Sequence, residues 1–122
     1  MTPTIYPYLS YRNAAAALGF LEEAFEFTTS VRWDDPDGNV QHAEVTFGEG
    51  AVTMGAAEHS TASLEGASVG RGIYVYVENV GAHFERARSM ARGWCPPEDT
   101  EWGTCRYRVL DSEGYEWSFG SY

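Results

Sequence analysis

Ser10-Tyr11-Arg12-Asn13 and Tyr76-Val77-Glu78-Asn79 end two β-rich stretches in the same way, each on an asparagine that opens a helical pattern. Around them the chain reads twice through one plan: strand, helix, then three strands. The second reading begins near Arg71. Asp34-Asp35-Pro36-Asp37-Gly38 makes a turn before a strand, and Asp111-Ser112-Glu113-Gly114 does the same. A duplicated βαβββ unit predicts an α+β protein whose two modules form a curved, cup-shaped mixed sheet around a hollow. The expected organisation is a single domain, 1–122, with module one over about 1–56, a linker over about 57–70 and module two over about 71–122.

Local patterns supply the elements. Thr4 to Tyr11 alternates like a strand, with Pro7 as a position that lacks a donor. Asn13 is an N-cap for a helix from about Ala14 to Phe25, where Leu18, Leu21 and Phe25 fall on one stripe. Strands follow at Phe27 to Trp33, Val40 to Phe47 and Ala51 to Gly55, with Asp37-Gly38 as a hairpin signal. Small and polar residues from about Ala56 to Gly70 read as a linker or flap. In the second module a strand spans Gly72 to Glu78. Asn79 caps a helix running to about Ala91, with Gly93 as its stop. Cys95-Pro96-Pro97-Glu98-Asp99 reads as a loop, because Pro-Pro cannot continue a helix. The strand expected somewhere in Gly93 to Glu101 has no clear position. Thr104 to Leu110 and Tyr115 to Phe119 close the module as a hairpin.

The balance of 18 acidic against 8 basic side chains gives a formal net charge of −10. That argues against nucleic acid and anionic membrane as partners, since both need a basic footprint. No stretch is long and apolar enough to cross a bilayer, and Met1-Thr2-Pro3-Thr4 lacks the features of an export signal. The expected location is the cytoplasm, with Cys95 and Cys105 as unpaired thiols.

Several of these stretches resemble the vicinal oxygen chelate superfamily, the glyoxalase/bleomycin-resistance/dioxygenase group, on its uncharacterised glyoxalase-like branch. The carriers are Tyr8 to Ala14, Phe20 to Phe27, Asp37 to Glu44, Trp102-Gly103-Thr104, Arg108 to Asp111 and Glu113 to Gly120. The resemblance covers nearly the whole chain and is specific for the fold, not for one activity. Three departures stand out: Glu26 replaces the usual helix-ending Gly, Asp111-Ser112 replaces Asp-Pro, and Cys105 replaces a basic residue after Gly-Thr.

The resemblance also implies where a metal would sit. Its ligand positions fall individually on Tyr6, Glu44, Gly72 and Ser118. One strong ligand in four does not hold a divalent cation, even with His42 added, unless Glu58 and His59 contribute. The expected site has no metal and no cofactor.

Strand parity then names the lining of the hollow. Tyr6, Tyr8 and Ser10 point inward from the first strand. His42, Glu44 and Thr46 do so from a later one, as do Tyr74, Tyr76 and Glu78. Glu116 and Ser118 face inward on the last strand, leaving Trp117 and Phe119 for the core. Trp102 has two readings, a loop anchor in the core or an aromatic lid. Arg106 and Arg108 read as surface or ion-paired residues, or as neutralisers of an acid in the hollow. The first functional reading is a metal-independent small-molecule binder, of the sequestering kind implied by the bleomycin-resistance resemblance. Its ligand site is Tyr6, Tyr8, His42, Glu44, Tyr74, Tyr76, Trp102 and Glu116, and aromatic faces with acids suit a cationic or aromatic ligand. The alternative is a metal-independent enzyme in which His42 and Glu44 move a proton on a carbonyl substrate. The resemblance further implies a homodimer.

Overall fold

The computed structural model describes residues 5–56 and 72–121. The expected linker or flap, with Glu58 and His59, lies outside the described residues apart from Ala56. The chain divides into two compact units, residues 1–66 and 67–122.

In the first unit the order is β1 (Tyr8–Tyr11), α1 (Ala14–Phe25), β2 (Thr28–Asp34), β3 (Val40–Phe47) and β4 (Gly50–Ala56). The four strands lie in the order β1-β4-β3-β2. β1 runs parallel to β4, and the other neighbours are antiparallel. β1 is shorter than the sequence suggests and starts after Pro7. Proline has no N–H to give a ladder, but its carbonyl still accepts from the Thr53 N–H at 2.9 Å. α1 begins and ends where its periodicity predicts. Asn13 Oδ1 accepts from the Ala16 N–H at 3.0 Å, supplying one acceptor the helix end lacks. Ala17, Leu18, Leu21, Ala24 and Phe25 are buried, packed over the β-face that carries Ala43, Val45 and Met54.

α1 stops at Glu26, whose backbone is left-handed at φ 66°. The Phe27 N–H reaches back to the Leu21 carbonyl at 3.2 Å, which is the closure a glycine usually makes. Here a side chain bears the cost of positive φ. Glu26→Gly is therefore expected to raise stability by about 1 kcal/mol. Chemical denaturation checks this: an unchanged or lower midpoint would mean that the Glu26 side chain offsets the strain.

In the second unit the order is β5 (Ile73–Tyr76), α2 (Val80–Arg88), β6 (Trp94–Asp99), β7 (Cys105–Leu110) and β8 (Glu116–Gly120). The strand order β5-β8-β7-β6, with β5 parallel to β8, repeats that of the first unit. Asn79 repeats the role of Asn13, accepting from the Ala82 N–H at 2.9 Å. Trp117, Phe119, Tyr107 and Val109 are buried beneath α2. His83 on α2 is buried too, hydrogen-bonded through Nδ1 to the Tyr107 hydroxyl and 4.3 Å from the Phe119 ring centroid.

Two expectations are corrected here. α2 ends at Arg88, before Ala91 and well before Gly93. The Ser89 hydroxyl donates to the Arg86 carbonyl at 2.8 Å, closing the last turn locally. Cys95 to Asp99 is an edge strand rather than a loop. Cys95 pairs with Arg108 and Glu98 with Arg106, and the register shifts between them, where Pro96 and Pro97 sit. Prolines are tolerated at an edge and at a bulge because neither position needs their missing donors.

The two acidic turns are alike locally but do not occupy equivalent places. The Asp35 turn joins β2 to β3, whereas the Asp111 turn joins β7 to β8. The counterpart of the Asp35 turn by position is Thr100–Thr104, where the Thr104 N–H donates to Thr100 Oγ1 at 3.1 Å. Asp35 accepts from the backbone N–H of Asn39 and of Asp37, each at 2.9 Å. Donation from Asn39 is the largest cause holding its carboxyl below the usual carboxylate range.

Candidate functional site

Each sheet has one face on its helix and one face turned away from it. On the first, Glu44 pairs with Thr53 and His42 with Gly55. Thr53 pairs in turn with Tyr8, and His42 with Trp33 across β2. Tyr8, His42, Glu44, Thr46 and Trp33 thus share the outer face, as strand parity predicts, with Ala43 and Val45 beneath. Tyr6 precedes β1 and is partly exposed. Tyr8 lies across Gly55: a Cβ added there would overlap the tyrosine hydroxyl.

Glu44 is approached by the Ser30 hydroxyl, 3.5 Å from its Oε1 and 3.2 Å from its backbone carbonyl. Among the described residues no hydrogen bond joins Glu44 to His42.

The second sheet repeats the arrangement. Tyr74 pairs with Ser118 and Tyr76 with Gly120, away from Trp117 and Phe119. Tyr74 lies over Gly120 as Tyr8 lies over Gly55, two residues beyond its own cross-strand partner in both cases. Glu116 is half-buried on this face, and its Oε2 comes within 3.3 Å of where a Gly72 Cβ would stand. Glu78 lies just past the end of β5. Trp102 sits in the β6–β7 turn and is 68% exposed, which removes the core-anchor reading.

The sequence left the arginines open, and the registers decide their face. Arg106 pairs with Gly120 and Arg108 with Ser118, so both share the outer face with Tyr74, Tyr76 and Glu116. The lining of the second sheet is therefore of mixed charge, not acidic alone. Arg108 donates to Cys95 Sγ at 3.8 Å, and both cysteines are free thiols.

The donor set at the four positions implied by the resemblance does not fit a divalent cation. Tyr6 and Ser118 are weak ligands when neutral, Gly72 has no side chain, and Glu44 alone is a carboxylate. Among the described residues, no group of three His, Cys, Asp or Glu side chains is gathered. Nor is any described helix long and apolar enough to cross a membrane.

Two helix-backed sheets of identical mixed order, with tyrosine-bearing outer faces, define a duplicated βαβββ protein. The chain belongs to the Glyoxalase/Bleomycin resistance protein/Dioxygenase superfamily, whose family model matches residues 6–119. It is 31% identical over 127 aligned positions to an uncharacterised protein of Mycobacterium bovis, covering 97% of this chain and 82% of that one. Among solved structures, TioX from Micromonospora sp. ML1 superposes with a TM-score of 0.77 at 28% identity, over 97% of this chain and 94% of TioX. A bleomycin resistance determinant encoded on the transposon Tn5 shares the fold at a TM-score of 0.70 and 15% identity, over 98% and 97% of the two chains.

Proposed function

We propose that the protein binds a small planar aromatic molecule without a metal, as a sequestering protein of the bleomycin-resistance type. The carrying observation is the pair of tyrosines laid over glycines, Tyr8 on Gly55 and Tyr74 on Gly120, each on the face turned away from a helix. A glycine beneath lets an aromatic ring settle against the backbone and present its other side to a ligand. Tyr76, 57% exposed on the same strand as Tyr74, extends that aromatic surface. Kinship with the resistance determinant from Tn5 supports the reading at the level of fold. The proton-transfer alternative is less favoured, because Glu44 is approached by Ser30 and not by His42.

The test is calorimetric titration of EDTA-treated protein with a panel of aromatic compounds. Binding is expected to survive chelation. Tyr76→Ala is expected to weaken it by about 1–2 kcal/mol while the melting curve keeps its shape. Loss of binding on chelation that one equivalent of metal restores would defeat metal independence. Turnover of a bound compound, abolished by His42→Ala, would favour the enzyme instead.

The assembly belongs to the same reading. We expect a two-fold dimer, because the superfamily resemblance implies one and β1 is an outermost strand of the first sheet among the described residues. Light scattering at micromolar concentration should give twice the chain mass; a monomer mass rules the dimer out.

A further inference from the structure

Arg106 is the anomaly of the second sheet. The chain carries 18 acids against 8 bases, so a cation with no acid beside it is unexpected. Yet among the described residues the Arg106 guanidinium forms no ion pair. Its cross-strand partner Glu98 is exposed and makes none with it. Its Nε is shut off from solvent with no hydrogen-bond acceptor. A buried donor on a charged group is costly to leave unmade, and in a native structure it needs an explanation.

The surroundings say what kind. The Arg106 guanidinium carbon stands 5.8 Å from the centroid of the Trp102 ring, stacked as a cation on an aromatic face. The Tyr74 hydroxyl and the Arg106 Cβ both crowd the same space above Gly120, so tyrosine and arginine stem are neighbours. The guanidinium thus lies against Trp102, while the stem of the same side chain lies beside Tyr74. A guanidinium presents Nε and one Nη side by side, matching the two oxygens of a carboxylate. Trp102 is at an exposed turn, 68% exposed, with the guanidinium against its ring. One unpaired guanidinium offers one charge, and the negative field of the chain opposes a dianion more than a monoanion.

We propose that Arg106 anchors a carboxylate group on a planar aromatic ligand, with Trp102 as its aromatic cover. The proposal rests on the binder reading above and sets an anionic ligand in place of the cationic one expected from the sequence.

The experiment is a calorimetric comparison of 2-naphthoate, 2-naphthamide and 2-naphthyl phosphate on the full chain, the Arg106→Gln variant and the Arg106→Lys variant. Wild-type protein is expected to prefer the carboxylate to the amide by about tenfold or more. Arg106→Gln should bring the two to parity, and Arg106→Lys should keep only part of the preference, since lysine has charge without the fork. If Arg106→Gln fails to fold, the lysine variant carries the test. Equal affinity for naphthoate and naphthamide in wild-type protein overturns the Arg106 proposal and leaves the binder reading standing. So does a preference that survives Arg106→Gln. Tighter binding of the phosphate than of the carboxylate overturns the ligand class. Binding of none of the three, at millimolar concentration, defeats the binder reading and the anchor together.

Discussion

Asp111→Ala is expected to destabilise the second unit severely, costing about 3 kcal/mol or more. Its Oδ1 accepts from the Glu113 N–H at 3.0 Å and the Tyr115 N–H at 3.1 Å, which fixes the β7–β8 turn. Its Oδ2 accepts from Trp117 Nε1 at 3.0 Å, inside the core. One buried carboxylate therefore ties a turn to the largest buried side chain of the chain. Alanine removes the acceptor of all three donors at once, and a buried indole N–H without its acceptor bears a desolvation cost. Asp111→Asn keeps one carbonyl oxygen and is expected to cost roughly half as much. Urea denaturation followed by tryptophan fluorescence measures both. A cost under about 1 kcal/mol for Asp111→Ala would show that water or a neighbour replaces the carboxylate.

Gly120→Ala is the second. A Cβ there would overlap the Tyr74 hydroxyl and stand 2.8 Å from both the Cys105 carbonyl oxygen and the Arg106 Cβ. The tyrosine can swing away, but the Cys105 carbonyl belongs to the backbone of β7 and cannot move without its ladder. The expected cost is about 2–3 kcal/mol, with Tyr74 displaced from the outer face. Gly55→Ala makes the informative contrast. Its worst overlap is the Tyr8 hydroxyl, the far end of a flexible side chain, and the nearest backbone atom is the Gln41 carbonyl oxygen at 3.2 Å. It should cost about 1 kcal/mol or less and displace Tyr8 without straining the sheet. Denaturation midpoints of the two variants decide this. Equal costs would mean that the sheet yields as readily at Gly120 as the ring does at Gly55.

The elements that were legible in the sequence have local causes. Asn13 and Asn79 cap their helices through their own side chains, three residues from the N–H they satisfy. The outer faces were legible as well, since Tyr74 and Tyr76 must oppose Ile73 and Val75 on any strand. Misplacements came where a local signal had two outcomes. Pro96-Pro97 excludes a helix but permits an edge strand, and only the presence of β7 alongside selects it. The turns at Asp35 and Asp111 look alike because the same short-range hydrogen bonds build both. That likeness carries no information on which hairpin each one closes.

The candidate site divides along the same line. His42, Glu44, Tyr8, Tyr74 and Tyr76 were assigned to one face by alternation counted from the positions that the resemblance implies. Arg106 was left open, and Trp102 had two readings. The signal for Arg106 was present as an arginine at even spacing from Arg108 in a strand whose intervening residue, Tyr107, is aromatic. What the alternation lacked was a reference to say which face holds the helix.

The sequence by itself thus determined the duplicated element order, the helix caps and the division of each strand into two faces. These depend on residues a few positions apart, with helix and strand periods set by backbone geometry. Only the tertiary structure decided that β1 lies parallel beside β4 and β5 beside β8. From that pairing follow Tyr8 on Gly55 and Tyr74 on Gly120. Each of these meetings joins segments far apart along the chain, brought together by burying apolar faces on a helix, and no local pattern records the register.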